Sequence, residues 1–309
     1  MRGYSDEHET FDDLESRLTA MLPAMYQNSQ DEVRAVSMRS AGLKYGADGM
    51  VAWNEIWGSF CDLAMAGGPP HKGILLEPGD KQEIDAGAER HDNVVEEICR
   101  GIAMVTGLYA DPSPLPGWIR MHCTSAVMAR WIAHAIVMEN VSAGFKGLGI
   151  YLPAGPRYRV EKEIKNVVTA VAKTTHYWVE HTPREQHWVI AKLFLKMDSE
   201  SPVVQALLFE DDIQDSRQWM LVSKMTACIF ERTGLRSANL PHAAWLGLDC
   251  SDLRAAIWMM RVLVVSNVFA RHEGTVLLVP VNPVSDPDGE VVVRMVVRAY
   301  GFCVSRKIF

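Results

Sequence analysis

A histidine-rich segment near the middle of the chain offers the clearest spacing for acid–base or metal chemistry. His176 and Glu180 stand four residues apart, which places both side chains on one face of a helix. An imidazole and a carboxylate so placed can transfer a proton or share a divalent cation. A metal site needs a third ligand, for which we take His181, with His122 and His134 as alternatives. The spacing therefore predicts catalytic residues or a metal site, and a weak surface ion pair is the structural alternative.

Two loops carry groups that could bind an anionic substrate. One contains Arg157 and Arg159 just before a predicted helix, where a guanidinium and a helix N-terminus both favour a carboxylate or phosphate. The other, rich in glycine and proline, contributes His71 and Lys72. We predict all four side chains as substrate-binding residues, against the alternative that both segments are ordinary exposed turns.

An internal repeat organises the chain from residue 102 onward. Residues 102–153 align without a gap on residues 229–280 at a constant offset of 127, and 15 of the 52 positions are identical. Chance would give about three identities at the usual residue frequencies. A duplicated framework with divergent loops predicts a site shared between the two copies, at the carboxyl ends of strands.

Several chemically interesting residues lie at matching positions of the two copies. His122 ends a predicted strand where the other copy has Asp249, so we include His122 among the catalytic candidates. Asn140 and Asn267 are shared, and a buried amide in a helix needs partners, so we expect them to fasten the copies together or to contact the ligand. The shared cysteines, 123 and 250, are more typical of packing than of nucleophilic chemistry.

The elements that position these residues alternate between strand and helix. In each copy a helix ends at Thr-Gly-Leu, a strand follows (118–123 and 245–250), and Ser or Asp N-caps begin long helices over 125–144 and 252–271. A second strand (149–152 and 275–279) and another helix complete the unit. This order predicts an α/β fold of duplicated strand-helix-strand-helix units, with a parallel or mixed sheet and helical crossovers.

The repeat also divides the chain into segments. We predict an acidic N-terminal arm with a degenerate first unit over 1–92, a repeat over 93–180, a helical insertion over 181–218 and a repeat over 219–309. For brevity, 93–180 is called the first repeat and 219–309 the second repeat.

Composition excludes several classes of function. The net charge is −7, of which −6 falls within residues 1–32, and no segment clusters Lys and Arg as a nucleic-acid binder requires. No uncharged apolar run reaches the roughly 18 residues of a membrane helix. The acidic start and the absence of paired CxxC cysteines are typical of a cytoplasmic protein with free thiols.

The function predicted from these residues is small-molecule metabolism. The chain has no GxGxxG, GxxxxGK[ST], HExxH or GxSxG motif, so no nucleotide cofactor is predicted, whereas a divalent metal is compatible with the histidines. We expect a hydrolase or lyase that acts on a small anionic molecule, and the alternative is a non-catalytic ligand-binding or assembly protein. A homo-oligomer is compatible with the 48% apolar content.

Overall fold

The structure is a computed structural model that describes residues 11–23, 42–58, 76–139, 141–206, 215–238 and 244–309. Three of the predicted binding residues, His71, Lys72 and Asn140, lie outside these ranges.

Helices account for most of the regular structure. In chain order they are α1 (Phe11–Met21), α2 (Lys81–Ala86), α3 (Ala88–Thr106), α4 (Ala126–Met138), α5 (Lys165–Glu180), α6 (Arg184–Glu200), α7 (Asp215–Thr233), α8 (Leu253–Val264) and α9 (Glu290–Ser305), with a π-helical turn at Val160–Ile164. Within the described residues, none of these helices combines the length and apolar character needed to cross a bilayer. The division into four segments stays a prediction.

Two four-stranded antiparallel sheets replace the predicted parallel or mixed sheet. The first contains β1 (Ala110–Pro112), β2 (Trp118–His122), β3 (Gly144–Lys146) and β4 (Gly149–Pro153); the second contains β5 (Arg236–Ala238), β6 (Trp245–Asp249), β7 (Arg271–Glu273) and β8 (Val276–Pro280). Their orders are β1-β2-β4-β3 and β5-β6-β8-β7, and every pairing is antiparallel. The predicted fold class is therefore wrong in its sheet topology.

The error has a local physical cause. The helices expected to continue to residues 144 and 271 end at Met138 and Val264, and β3 and β7 begin where those helices were expected to end. Gly147 and Gly274 have φ of 60° and 56° at the first position of two-residue hairpin loops. A Gly at that position suits a tight hairpin, which makes the following strand antiparallel.

Strand pairs in the two sheets involve residues that are 127 positions apart in the chain, as the sequence repeat predicts. Trp118 pairs with Pro153 in the first sheet, and Trp245 pairs with Pro280 in the second. Helix α3 also has the same bounds as α7 when 127 is added. The two repeats thus adopt the same order of elements.

Helix boundaries follow the predicted capping residues. The Ser125 side chain accepts a hydrogen bond from the Met128 backbone N–H at 3.1 Å, and Asp252 does the same for Ala255 at 3.0 Å. Gly107 ends α3 in the left-handed conformation, with φ of 70°. These predicted caps are confirmed.

The two repeats pack together through buried helices and a polar network. Helices α4 and α8 contact each other, while α1 and α6 pack against α8 and α4 respectively. At this interface the Arg130 guanidinium donates to Asp198 and, at 2.7 Å, to the Asn267 side-chain oxygen. Asn267 has a left-handed φ of 65° and also donates to the Ser201 carbonyl at 2.8 Å. Asn267 therefore joins the two repeats, which is the first of the two roles predicted for it.

Candidate active site at the corner between two helices

The C-terminal end of α5 brings together three of the predicted site residues. The His176 Nδ1 atom lies 3.2 Å from Glu180 Oε1, and its Nε2 atom lies 3.3 Å from Nε2 of His181. The helical spacing of His176 and Glu180 produces the first contact, and the turn after α5 folds His181 back to produce the second. The result is a chain of carboxylate, imidazole and imidazole.

For neutral imidazoles, the Glu180 carboxylate fixes the order of donors and acceptors in this chain. The Glu180 carboxylate only accepts, so Nδ1 of His176 carries the proton and its Nε2 is an acceptor. Nε2 of His181 must then donate to it, which leaves a lone pair on His181 Nδ1. A proton gained at His181 Nδ1 would be stabilised through His176 by the Glu180 carboxylate.

A cavity of about 820 Å³ lies against His181, at the corner where α5 gives way to α6. Its lining comes from the ends of α3 and α5 and the starts of α4 and α6: Thr106, Leu108, Thr124, Met128, Thr175, Trp178, Val179, Glu180, His181, Thr182, Pro183, Arg184 and His187. All of these residues lie between positions 106 and 187. This cavity is therefore not formed between the two repeats, where we had expected the site.

One wall of the cavity combines an aromatic surface with cationic and hydroxyl groups. The indole of Trp178 stacks on the His187 imidazole, with ring centroids 3.8 Å apart and planes inclined by 7°. Nε2 of His187 faces the Trp178 carbonyl at 3.1 Å, so it donates there. Arg184 is exposed at the rim and makes no ion pair within the described residues. Its guanidinium is available to a bound anion.

The start of α6 adds a favourable potential for an anion at the same rim. Its N-cap is Pro183, which supplies no side-chain cap to the first backbone N–H groups. A helix of 17 residues presents a partial positive charge at this end. The helix terminus and Arg184 therefore act in the same direction.

Among the described residues, no third ligand converges on the predicted metal site. The Glu180 carboxylate contacts the His176 nitrogen that points away from His181, so it orients His176 and does not join the facing Nε2 atoms. Across the described residues, no group of three or more His, Cys, Asp or Glu side chains has the arrangement of a metal site. We therefore do not include a metal in the proposal.

The two predicted anion-binding arginines lie at the other end of α5. Arg157 is 80% exposed and pairs with Glu83, while Arg159 pairs with Glu163 at 3.3 Å. From the start of α5 to His176 the helix rises about 16 Å, at 1.5 Å per residue. These arginines and the histidine pair therefore do not form one site.

His122 belongs to a separate polar cluster on the outer face of the first sheet. Its Nε2 atom lies 3.1 Å from Asp111 Oδ1, and Arg120 donates to the same carboxylate at 2.9 Å. The hydrogen bond from Arg120 is the largest cause that lowers the pKa of Asp111. His122 does not line the cavity, and an ion pair is the role that its contacts support.

Other polar candidates are buried in structural positions. His134, the alternative third ligand, is fully buried, and desolvation lowers its pKa to about 3. Burial raises the pKa of the Cys123 and Cys250 thiols to about 12, which favours the predicted packing role. Lys173 and Glu139 form a buried pair at 3.1 Å, and desolvation lowers the pKa of Lys173.

Sequence reasoning did not assign Arg184 and Trp178 to the site. Trp178 and Arg184 lie between the histidines in the sequence. The high number of aromatic and cationic side chains over residues 176–187 was therefore the feature that could have indicated their role. The sequence pattern did not predict the corner between α5 and α6, and this corner places the neighbouring side chains around a single cavity.

Comparison of the chain with protein-family models, with curated proteins and with solved structures gave no match.

Proposed function

We propose that the chain is an enzyme that binds a small carboxylate-bearing molecule in the cavity at the α5–α6 corner and uses His181 as its general base. The observation that carries the proposal is the relay from Glu180 through His176 to His181, which lines the cavity. A base oriented by a second group is the usual arrangement for proton transfer.

The expected chemistry is a hydrolase or lyase step. His181 Nδ1 takes a proton from a water or from an acidic C–H or O–H of the substrate, and the imidazolium that forms donates through His176 toward Glu180. The nearby Cys123 thiol is a poor nucleophile because burial raises its pKa to about 12. A proton-transfer mechanism therefore suits the site better than covalent catalysis through this thiol.

The preference for an anion rests on Arg184 and the start of α6. Glu180 also lines the cavity, but its carboxylate is engaged by His176. A carboxylate is expected on the Arg184 side, and a flat apolar portion is expected against Trp178 and His187.

Saturation-transfer NMR with benzoate and succinate as probes tests the binding step. We expect saturable binding of at least one probe to the native chain, weakened about tenfold or more by Arg184→Met. The matched control is Arg157→Met, which removes an arginine of similar exposure at the far end of α5 and should leave binding unchanged. Loss of binding in the control with retention in Arg184→Met would overturn the assignment.

The second candidate function is a non-catalytic assembly module. Specific support comes from tryptophans on the outer faces of two helices, since Trp188 on α6 and Trp219 on α7 are each 72% exposed. Exposed aromatic residues are typical of protein interfaces. An absence of carboxylate binding together with stable assembly would favour this function.

A further inference from the structure

The outer face of α7 carries a row of apolar and small residues beside Lys224, whereas the equivalent face of α3 is charged. Trp219, Ser223, Ala227 and Phe230 are all exposed and follow one another at spacings of four, four and three residues, so they form one stripe along the helix. We call these four residues the α7 stripe. The opposite side of α7 packs into the core.

The matching positions of α3 serve as an internal comparison. Subtracting 127 gives Asp92, Glu96, Arg100 and Ala103, a polar face of the kind that solvent-exposed helices carry. Arg100 on α3 is half-buried and donates to the Val51 carbonyl at 2.8 Å, so the α3 face is partly covered by residues 42–58, whereas all four residues of the α7 stripe are exposed. The divergence indicates a contact made by the second repeat.

The α7 stripe is self-complementary. Its aromatic residues lie at the two ends and its small residues lie in the middle, so the sequence of sizes reads the same from either end. When two copies of α7 cross antiparallel about a twofold axis near position 225, Trp219 of one meets Phe230 of the other. Ser223 then faces Ala227, and the small residues allow the helices to approach closely.

We infer that the α7 stripe is the docking surface for a second copy of this chain, in an antiparallel twofold arrangement. Trp219 is 72%, Met220 65% and Phe230 51% exposed. At about 150–250 Å² for a fully buried aromatic side chain, complete burial of these exposed fractions in two copies would remove roughly 800 Å² from water, which is less than a standard specific interface buries. The dimer is therefore weak and depends on concentration.

The other exposed tryptophan lies on a face that does not favour self-pairing. On α6, Lys192 lies within the exposed row, between Trp188 and Leu195, so a twofold contact there would bring two ammonium groups together. On α7, Lys224 lies beside the α7 stripe and pairs with Asp288 at 3.9 Å. Trp188 thus provides a matched control, of the same residue type and the same exposed fraction as Trp219.

Sedimentation velocity of the full chain from 1 to about 200 μM tests the inference. We expect the native chain to shift from monomer to dimer in the micromolar range, as weak interfaces do. Ala227→Arg should raise the dissociation constant at least tenfold by placing two like charges at the crossing point, and Trp219→Ala should also weaken it. Trp188→Ala should behave as the native chain. A native chain that stays monomeric, or a dimer lost in Trp188→Ala and kept in Ala227→Arg, would overturn the inference.

Cysteine cross-linking tests the antiparallel arrangement. An equimolar mixture of Ser223→Cys and Ala227→Cys chains should cross-link mainly as mixed dimers on mild oxidation, relative to each variant alone. Both positions are exposed, so neither change should affect folding. Cross-linking that is strongest for Ser223→Cys alone would indicate a parallel contact and contradict the arrangement.

Discussion

The Nε2 atoms of His176 and His181 lie 3.3 Å apart, within hydrogen-bond distance, on residues five positions apart in the chain. This contact exists because α5 ends at Glu180 and the turn that follows reverses direction into α6. It connects the Glu180 carboxylate, which is largely exposed, to an imidazole that lines the cavity.

Replacing Glu180 distinguishes its role in the relay from the effect of its charge on anion binding. Glu180→Gln removes a negative charge from the cavity lining while keeping a hydrogen-bond acceptor for His176. We expect carboxylate binding to strengthen by about two- to fivefold, the range that a partly exposed charge pair of about 0.4–1 kcal/mol supports. Titration of benzoate by NMR measures the effect, with Glu163→Gln at the far end of α5 as the control. Weaker binding in Glu180→Gln would contradict the proposed position of the anion.

Burial of His134 should make stability depend on pH. Its pKa in the folded protein is about 3, against 6.5 for the free side chain, because burial disfavours the imidazolium and Arg130 adds repulsion. The unfolded chain therefore binds the proton first as the pH falls. The stabilisation is complete above pH 6.5 and decreases toward pH 3, by about 1.4 kcal/mol per pH unit for each such group.

His134→Phe should reduce by one the number of protons taken up on unfolding, and so weaken the dependence of stability on pH. The substitution keeps an aromatic ring among Phe145, Phe194 and Phe269, which surround His134. Urea unfolding between pH 4 and 7 should show a slope smaller by about one proton than in the native chain. Desolvation also lowers the pKa of His272, so His272→Phe, which introduces the residue found at the equivalent position 145, should reduce the slope too. An unchanged slope in His134→Phe would refute the account of its burial.

The buried Arg271 and the half-buried Glu77 should show strong energetic coupling. The guanidinium donates to Glu77 at 2.6 Å and to Ser142 at 2.7 Å, and it lies 3.8 Å from the ring centroid of Trp245. Glu77→Gln leaves a buried charge uncompensated and should cost about 3–5 kcal/mol in the free energy of unfolding.

A double-mutant cycle measures the coupling between these two residues. The double variant Arg271→Met/Glu77→Gln should lose less stability than the sum of the single variants, by about 2 kcal/mol, because both charges are removed together. Urea denaturation of the four proteins gives the four free energies. Additivity within about 0.5 kcal/mol would mean that the pair is screened by solvent and does not stabilise the contact between residue 77 and the second repeat.

Local signals predicted a substantial part of this fold, and short-range pairing was the part they missed. Ser125, Asp252 and Gly107 fixed helix ends because capping depends on neighbouring residues alone. Strands such as β1 and β7 have three residues each, too few to show a periodic pattern. Because these short strands were not predicted, the longer strands were expected to be joined by helical crossovers alone. The sheets were therefore predicted as parallel or mixed.

The candidate site was predicted in part for a related reason. The spacing of His176 and Glu180 specified their contact, because an α-helix repeats every 3.6 residues. The role of Arg157 depended instead on which end of α5 the cavity occupies, and that is set by tertiary packing. Arg271 and Glu77 are 194 positions apart, so nothing local in the sequence could have paired them.

The tautomers of His176 and His181 test the central claim most directly. Long-range ¹H–¹⁵N NMR of histidine-labelled protein distinguishes a protonated from an unprotonated ring nitrogen at each position. The relay predicts Nδ1–H on His176 and Nε2–H on His181, with the unprotonated Nδ1 of His181 responding to benzoate as the cavity fills. A proton on Nδ1 of neutral His181 would place its lone pair toward His176, leave no base facing the cavity, and contradict the proposed function.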